Sequence, residues 1–193
     1  MFFIAFALIA PDAKTSEVDT DVEILITMSW PDGLEDDIDL PVEDPLDNLV
    51  WYHAREGGLM HLDRDDRGLF RDVLLIDGEE LVNPLNQETV SIRRLIDGEY
   101  AVNVVDFIAV STDPVPVTVR VEKMNPSFSI IYYGNLVLDG TGDEATAVRF
   151  TLAGDEVRDV NNRPLSLVER MPGAAPAAPA GAVDPGTGGV VQP

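Results

Sequence analysis

The sequence predicts an all-β protein, a Greek-key β-sandwich of about 150 residues. Three observations carry this prediction. From Val22 onward, short runs rich in Val, Ile, Leu and Tyr recur every 10–15 residues or so. Turn-forming pairs such as Asp-Gly and Asp-Pro separate these runs. No segment shows the 3.6-residue apolar period of an ordinary amphipathic helix.

The first predicted strand is Val22–Trp30, which stops at the turn Pro31-Asp32-Gly33. Ile38, Leu40 and Val42 then alternate with acidic residues, as in a strand with one buried face. Tyr100, soon after the turn Asp97-Gly98, resembles a tyrosine-corner residue whose hydroxyl bonds back to a neighbouring loop. The other predicted strands are Leu49–His53, Asp72–Ile76, Thr89–Leu95, Tyr100–Phe107, Val115–Glu122, Phe128–Leu138 and Ala147–Leu152.

The two ends differ from this central region, residues 22–171. Residues 1–10 are wholly apolar, and as a helix they would rise about 15 Å, half of the roughly 30 Å hydrocarbon core of a bilayer. We expect a membrane anchor whose start lies upstream, with an apolar arm that packs on a partner and a first core strand as alternatives. Residues 11–21 are an expected acidic linker, and residues 172–193 an expected disordered Pro/Ala/Gly tail.

Composition excludes several classes of protein. The 193 residues include 13 Lys and Arg against 35 Asp and Glu, a net charge of -22, so the surface repels nucleic-acid phosphates. Because 45% of the residues are hydrophobic, the chain has enough apolar surface for a core, and general disorder is excluded. The absence of cysteine rules out disulfides, thiolate catalysis and thiolate zinc sites.

Three segments, in order, resemble a family of exported bacterial domains of unknown function known as YfaP-like. They are Met28-Ser-Trp30 with Asp36–Pro45 and Asn48–Tyr52, the acidic segment Gly58–Gly68, and Asp97–Val104. Asp97–Val104 resembles the Gly-x-Tyr strand start of many Ig-like and pre-peptidase-type sandwiches. The resemblance therefore implies an Ig-like or pre-peptidase-like β-sandwich on an exported or envelope protein. It carries over no catalytic residues. We therefore expect an extracytoplasmic, membrane-anchored or exported protein.

Acidic residues concentrate in two of these segments, and their spacing suggests a calcium site. Calcium takes six to eight oxygen ligands, which loops with alternating Asp supply. The candidate ligands are Asp37, Asp39, Asp63, Asp65 and Asp66. A complete EF-hand is excluded, since Leu74 stands where the twelfth-position Glu belongs. In the alternative interpretation these carboxylates cap turns, pair with nearby arginines or are solvated. His53 and His61 with Asp63 are a weaker zinc or iron set.

Trp51 and Tyr52 are adjacent, so in a strand they point to opposite faces and one of them is free to contact a partner or stack on a sugar. No nucleophile motif or phosphate-binding loop is present in the sequence. We therefore expect a non-catalytic binding module for a protein or glycan partner. The alternatives are a structural subunit of an envelope or viral assembly and a calcium-dependent carbohydrate-binding domain. The oligomeric state is not predicted.

Overall fold

A computed structural model describes residues 22–67, 73–76 and 78–172, and it confirms the predicted β-sandwich. Two antiparallel sheets pack face to face around one apolar core. None of the helical turns in this part of the chain is long and apolar enough to cross a membrane. The predicted anchor, the linker and residues 173–193 of the predicted tail lie outside the described residues.

Each sheet is built from antiparallel pairs. In spatial order the first sheet contains β12 (Ser129–Leu138), β11 (Val115–Lys123), β1 (Ile24–Ser29), β9 (Gln87–Ile92), β6 (Met60–Arg64) and β5 (Glu56–Gly57). The second contains β14 (Glu156–Asn161), β13 (Glu144–Ala153), β10 (Gly98–Ile108), β3 (Val42–Glu43) and β4 (Leu49–Val50). Strand β2 (Asp37–Asp39) also pairs with β10, and β7 (Val73–Ile76) with β8 (Glu79–Val82) forms a separate hairpin.

The core follows from the alternation of the strands. In β1, Ile24, Ile26 and Met28 are fully buried while the residues between them are half-buried on the outer face. A second, smaller apolar cluster lies on the outer face of the second sheet. There the short 3-10 helix Val168–Arg170 and Met171 pack near Trp51. The outer face of the second sheet is therefore covered at one place by the end of the described chain.

The structure departs from the predicted strands at several places, and the short strands β5 and β8 are among those that were not predicted. The acidic segment predicted as a loop contains β6, because Met60 and Leu62 alternate into the core. The single strand predicted across residues 38–42 is divided into β2 and β3 at Pro41, which has no N–H to donate to a ladder. Strand β14 was not predicted, because on an edge its sequence is mostly polar and its side chains are mostly exposed.

The predicted corner role of Tyr100 is confirmed. Its ring is fully buried and stacks on Phe150 at 5.2 Å between centroids, and its hydroxyl oxygen accepts a hydrogen bond of 2.9 Å from the backbone N–H of Ile96. The hydroxyl thus ties the turn before β10 to the core.

Replacing Tyr100→Phe should lower the free energy of unfolding by about 1–2 kcal/mol, because the Ile96 N–H loses its acceptor. The matching fall in Tm, about 2–8 °C for a domain of this size, is measurable by differential scanning calorimetry. Tyr133→Phe is the control, since that side chain is exposed. An unchanged Tm for Tyr100→Phe would show that the turn does not depend on this bond.

Candidate functional site

Three buried carboxylates meet at the edge where the two sheets approach each other. They belong to Asp39 at the end of β2, Asp65 just after β6, and Glu88 in β9. One oxygen from each lies within 4.8 Å of the others. We call these three residues the acidic triad.

The alternation of side chains along β2 determines where the carboxylate of Asp39 lies. Within β2 the side chain of Ile38 points into the core, so Asp37 and Asp39 point to the opposite face. Asp39 pairs with Val105 in the ladder to β10, which fixes its position in the sheet. The side chain is nonetheless buried, with only 5% of the residue exposed. A carboxylate at this depth needs a compensating charge or proton.

Glu88 is fully buried and connects the sheets. It lies on the same side of β9 as Val90 and Ile92, which belong to the core. One carboxylate oxygen accepts a 2.8 Å hydrogen bond from the N–H of Leu40, and the other a 3.4 Å hydrogen bond from the N–H of Asp66. Glu88 therefore holds the segments that carry Asp39 and Asp65 next to each other.

One carboxylate oxygen of Asp65 lies near positive charge, and the other has no hydrogen-bond partner among the described residues. Its Oδ2 lies 3.7 Å from a guanidinium nitrogen of Arg67 and 4.0 Å from one of Arg55. Its Oδ1 is buried and accepts no hydrogen bond from the residues that the structure describes. The side chain is only 7% exposed. Because a buried carboxylate oxygen without a donor is unfavourable, this oxygen is the position in the triad that most needs a ligand.

The pKa values of this region reflect the crowding of negative charge. Burial, then the charge of Asp39, raises the pKa of Glu88, while the N–H groups of Leu40 and Asp66 oppose the shift. Burial, then the charge of Asp37, raises the pKa of Asp39 well above its usual range. Burial, then the charge of Asp65, raises the pKa of Asp37 to about 6. Full ionisation of these carboxylates is therefore unfavourable in the folded protein, and binding of protons or of a cation would relieve the repulsion.

The remaining predicted ligands lie around the triad or apart from it. Asp37 lies at its rim. Asp66 accepts a 2.6 Å hydrogen bond from Arg64 and a 3.2 Å one from the N–H of Gln87, and in the described residues its Oδ1 is buried without a partner. Asp63 is 41% exposed and lies 3.8 Å from His61. The one group of three close ligand side chains among the described residues contains neither histidine, so the weaker zinc or iron set is not assembled.

A surface cavity of about 480 Å³ opens beside the triad. Tyr52 and Phe107 form one side, with ring centroids 4.9 Å apart, and Asp37 and Arg67 lie at its border with the triad. Glu35, His53 and Ile108 complete the lining. Trp51 is buried in the smaller apolar cluster, so of the two predicted partner-binding aromatics it is Tyr52 that faces the cavity.

Sequence reasoning missed two residues of this region, Glu88 and Phe107. Glu88 stands one position before the predicted strand Thr89–Leu95, so the prediction did not include its alternation with Val90 and Ile92. An acidic residue on the apolar face of a strand is the signal that would have found it. Phe107 was predicted only as a strand end.

Comparison with known proteins adds nothing to the geometry: no family model, curated protein or solved structure matches the chain.

Proposed function

We propose that the protein is a non-catalytic binding module that holds a calcium ion at the acidic triad. One observation carries the proposal: three buried carboxylates place their oxygens within 4.8 Å of one another. In support of it, Oδ1 of Asp65 accepts no hydrogen bond from the described residues. A cation held there would remove the repulsion among the carboxylates and satisfy that oxygen.

Calcium fits the ligand chemistry better than other common metals. The triad offers only carboxylate oxygens, which hard cations prefer, and no nitrogen or sulfur of the kind that zinc and copper select. Calcium–oxygen distances of about 2.3–2.6 Å place opposite ligands up to about 5 Å apart. Magnesium usually keeps several of its waters and takes only one or two carboxylates, so a set of three carboxylates favours calcium.

The cavity beside the triad supports the binding role. It joins two aromatic rings, Tyr52 and Phe107, to polar groups of both signs at Asp37 and Arg67. Such mixed lining is typical of sites that bind part of a protein or glycan partner. The resemblance to exported bacterial domains supports an extracytoplasmic location, where calcium sites of modest affinity suffice.

Calorimetric titration of the metal-free protein with calcium tests the proposal. We expect one site with a Kd below about 1 mM at neutral pH. Asp65→Asn and Glu88→Gln should each weaken calcium binding at least about tenfold, because each removes a ligand charge. Circular dichroism checks that both variants fold.

Asp63→Asn is the matched control for this titration. Asp63 lies two residues from Asp65 but is exposed and paired with His61, so the variant should bind calcium as the wild type does. Equal losses for Asp63→Asn and Asp65→Asn would assign the binding to general negative charge. The absence of any binding heat or Tm shift at roughly 10 mM calcium would refute the site.

The aromatic cavity favours a second candidate function, calcium-dependent carbohydrate binding. The Tyr52 ring beside a calcium ion would offer stacking to a sugar face and coordination to its hydroxyls. A glycan array probed with calcium and again with a chelator distinguishes the candidates. Signals that need both calcium and Tyr52 would support a glycan ligand. An array without such signals would favour a protein partner instead.

A further inference from the structure

The four outer strands of the two sheets differ in how well they are protected against further pairing. Strands β4 and β5 have two residues each, and β14 carries Glu156, Arg158 and Asp159 within its six. Short length and charge both prevent edge-to-edge association. Strand β12 has ten residues and no charge, so it lacks both kinds of protection.

The unprotected stretch of β12 is regular and apolar. The ladder to β11 has a register shift at Ile131, a feature that discourages pairing there, but it runs without interruption from Tyr132 to Leu138. Along this stretch Tyr133 and Val137 are 64% and 58% exposed on the outer face. In the described part of the chain, β12 pairs only with β11. The other side of β12 is therefore without a partner strand among the described residues.

The charge of the chain indicates what the further strand is. The sequence from Met124 to Leu138 contains no charged residue, in a protein whose net charge is -22. Two copies repel each other over most of their surfaces, and the uncharged edge is where they meet with the least repulsion. A basic partner would instead be drawn to the acidic surfaces elsewhere on the protein.

We propose that β12 is a self-association edge at which two copies of this chain pair antiparallel about a two-fold axis. The axis passes near Asn135, the centre of the regular stretch. In that register Tyr133 of one copy lies opposite Val137 of the other, twice by symmetry. Aromatic and β-branched residues are favourable neighbours across antiparallel strands. The first sheet of each copy continues into that of the second.

Sedimentation equilibrium of the full chain tests the proposal over a concentration range of roughly 1 μM to 1 mM. We expect the wild type to form a dimer, more strongly at high salt because salt screens the repulsion between copies. The double variant Y133K/V137K should weaken the dimer at least about tenfold, since it places lysines opposite lysines. L46K, at a 65% exposed position in the turn between β3 and β4, at the opposite edge of the second sheet from β14, is the control and should dimerise normally.

A mixing experiment tests the pairing itself. Y133E/V137E alone should also be monomeric, while an equimolar mixture of the lysine and glutamate double variants should restore a dimer of the two. A wild type that stays monomeric throughout would overturn the proposal, as would a dimer that Y133K/V137K leaves intact. A monomer in which the β12 amides that point away from β11 resist hydrogen exchange would also overturn it, because it would assign the edge to another segment of the same chain.

Discussion

In calcium-free buffer at neutral pH, Asp39→Asn is expected to have a higher Tm than the wild type, and saturating calcium is expected to reverse this order. Without a cation, the buried carboxylate of Asp39 lies among the like charges of Asp37 and Asp65, which raise its pKa after burial itself. Asparagine keeps nearly the same shape and removes one of these charges. The variant therefore escapes a penalty that the metal-free wild type carries.

If calcium binds as proposed, it changes the balance because it binds the folded wild type more tightly than it binds the variant. At about 100 times its Kd, a ligand stabilises the folded state by about 2.7 kcal/mol. For a domain of this size the corresponding rise in Tm is about 5–10 °C. Asp39→Asn lacks one ligand charge of the triad and should rise by much less. Thermal scans in a chelator and in calcium measure both effects.

Asp63→Asn serves again as the control and should follow the wild type in both buffers, since Asp63 is exposed and outside the triad. Two results would contradict the triad as a cation site. One is an Asp39→Asn variant that keeps the full calcium-induced rise. The other is a variant less stable than the wild type in the chelator, which would mean that Asp39 makes a favourable interaction without any cation.

The alternation of apolar residues was enough to predict most strands, because each strand of a sandwich buries one face. It failed where a strand had few apolar residues or a strong local signal of another kind. Strand β6 has only Met60 and Leu62 on its inner face, and the acidic residues after them indicated a loop. Strand β14 is an edge with mostly exposed side chains, so no apolar period marks it.

The triad was predictable in part. Asp39 and Asp65 were predicted as ligands from their clusters, which are close in the sequence. Glu88 was not predicted, because its role depends on how the two sheets pack. It lies on β9 of the first sheet, and it accepts a hydrogen bond from the N–H of Leu40, which follows β2 of the second sheet. The cavity was not predictable for the same reason. Tyr52 follows β4 and Phe107 lies in β10, and only the folded chain brings their rings together.

Asp106→Asn is expected to stabilise the protein at neutral pH and to lose this advantage as the pH falls towards 4. Asp106 is fully buried on β10, and within the described residues neither of its carboxylate oxygens has a hydrogen-bond partner. Burial, then the charges of Asp36, Asp143 and Asp37, raises its pKa from 3.8 to about 6. The ionised form is therefore disfavoured in the folded state.

Proton linkage gives the direction in which stability from Asp106 changes with pH. Between pH 3.8 and about 6 the folded protein keeps a proton on Asp106 that the unfolded chain has released. Stability from this group is therefore fully present below pH 3.8 and is lost as the pH rises to about 6. Asparagine does not titrate, so the variant avoids that loss. Its Tm should exceed that of the wild type by at least about 3 °C above pH 6, and the gap should narrow under acid conditions.

Thermal scans from about pH 4 to pH 7.5 in calcium-free buffer measure this gap. Asp37 titrates in the same range and is present in both proteins. Because burial contributes more than the Asp37 charge to the raised pKa of Asp106, the difference between the two proteins reports mainly on Asp106. Asp113→Asn is the control, because Asp113 is exposed and its carboxylate lies outside this buried site. An Asp106→Asn variant that is less stable at neutral pH would show that the ionised carboxylate is held by a favourable partner.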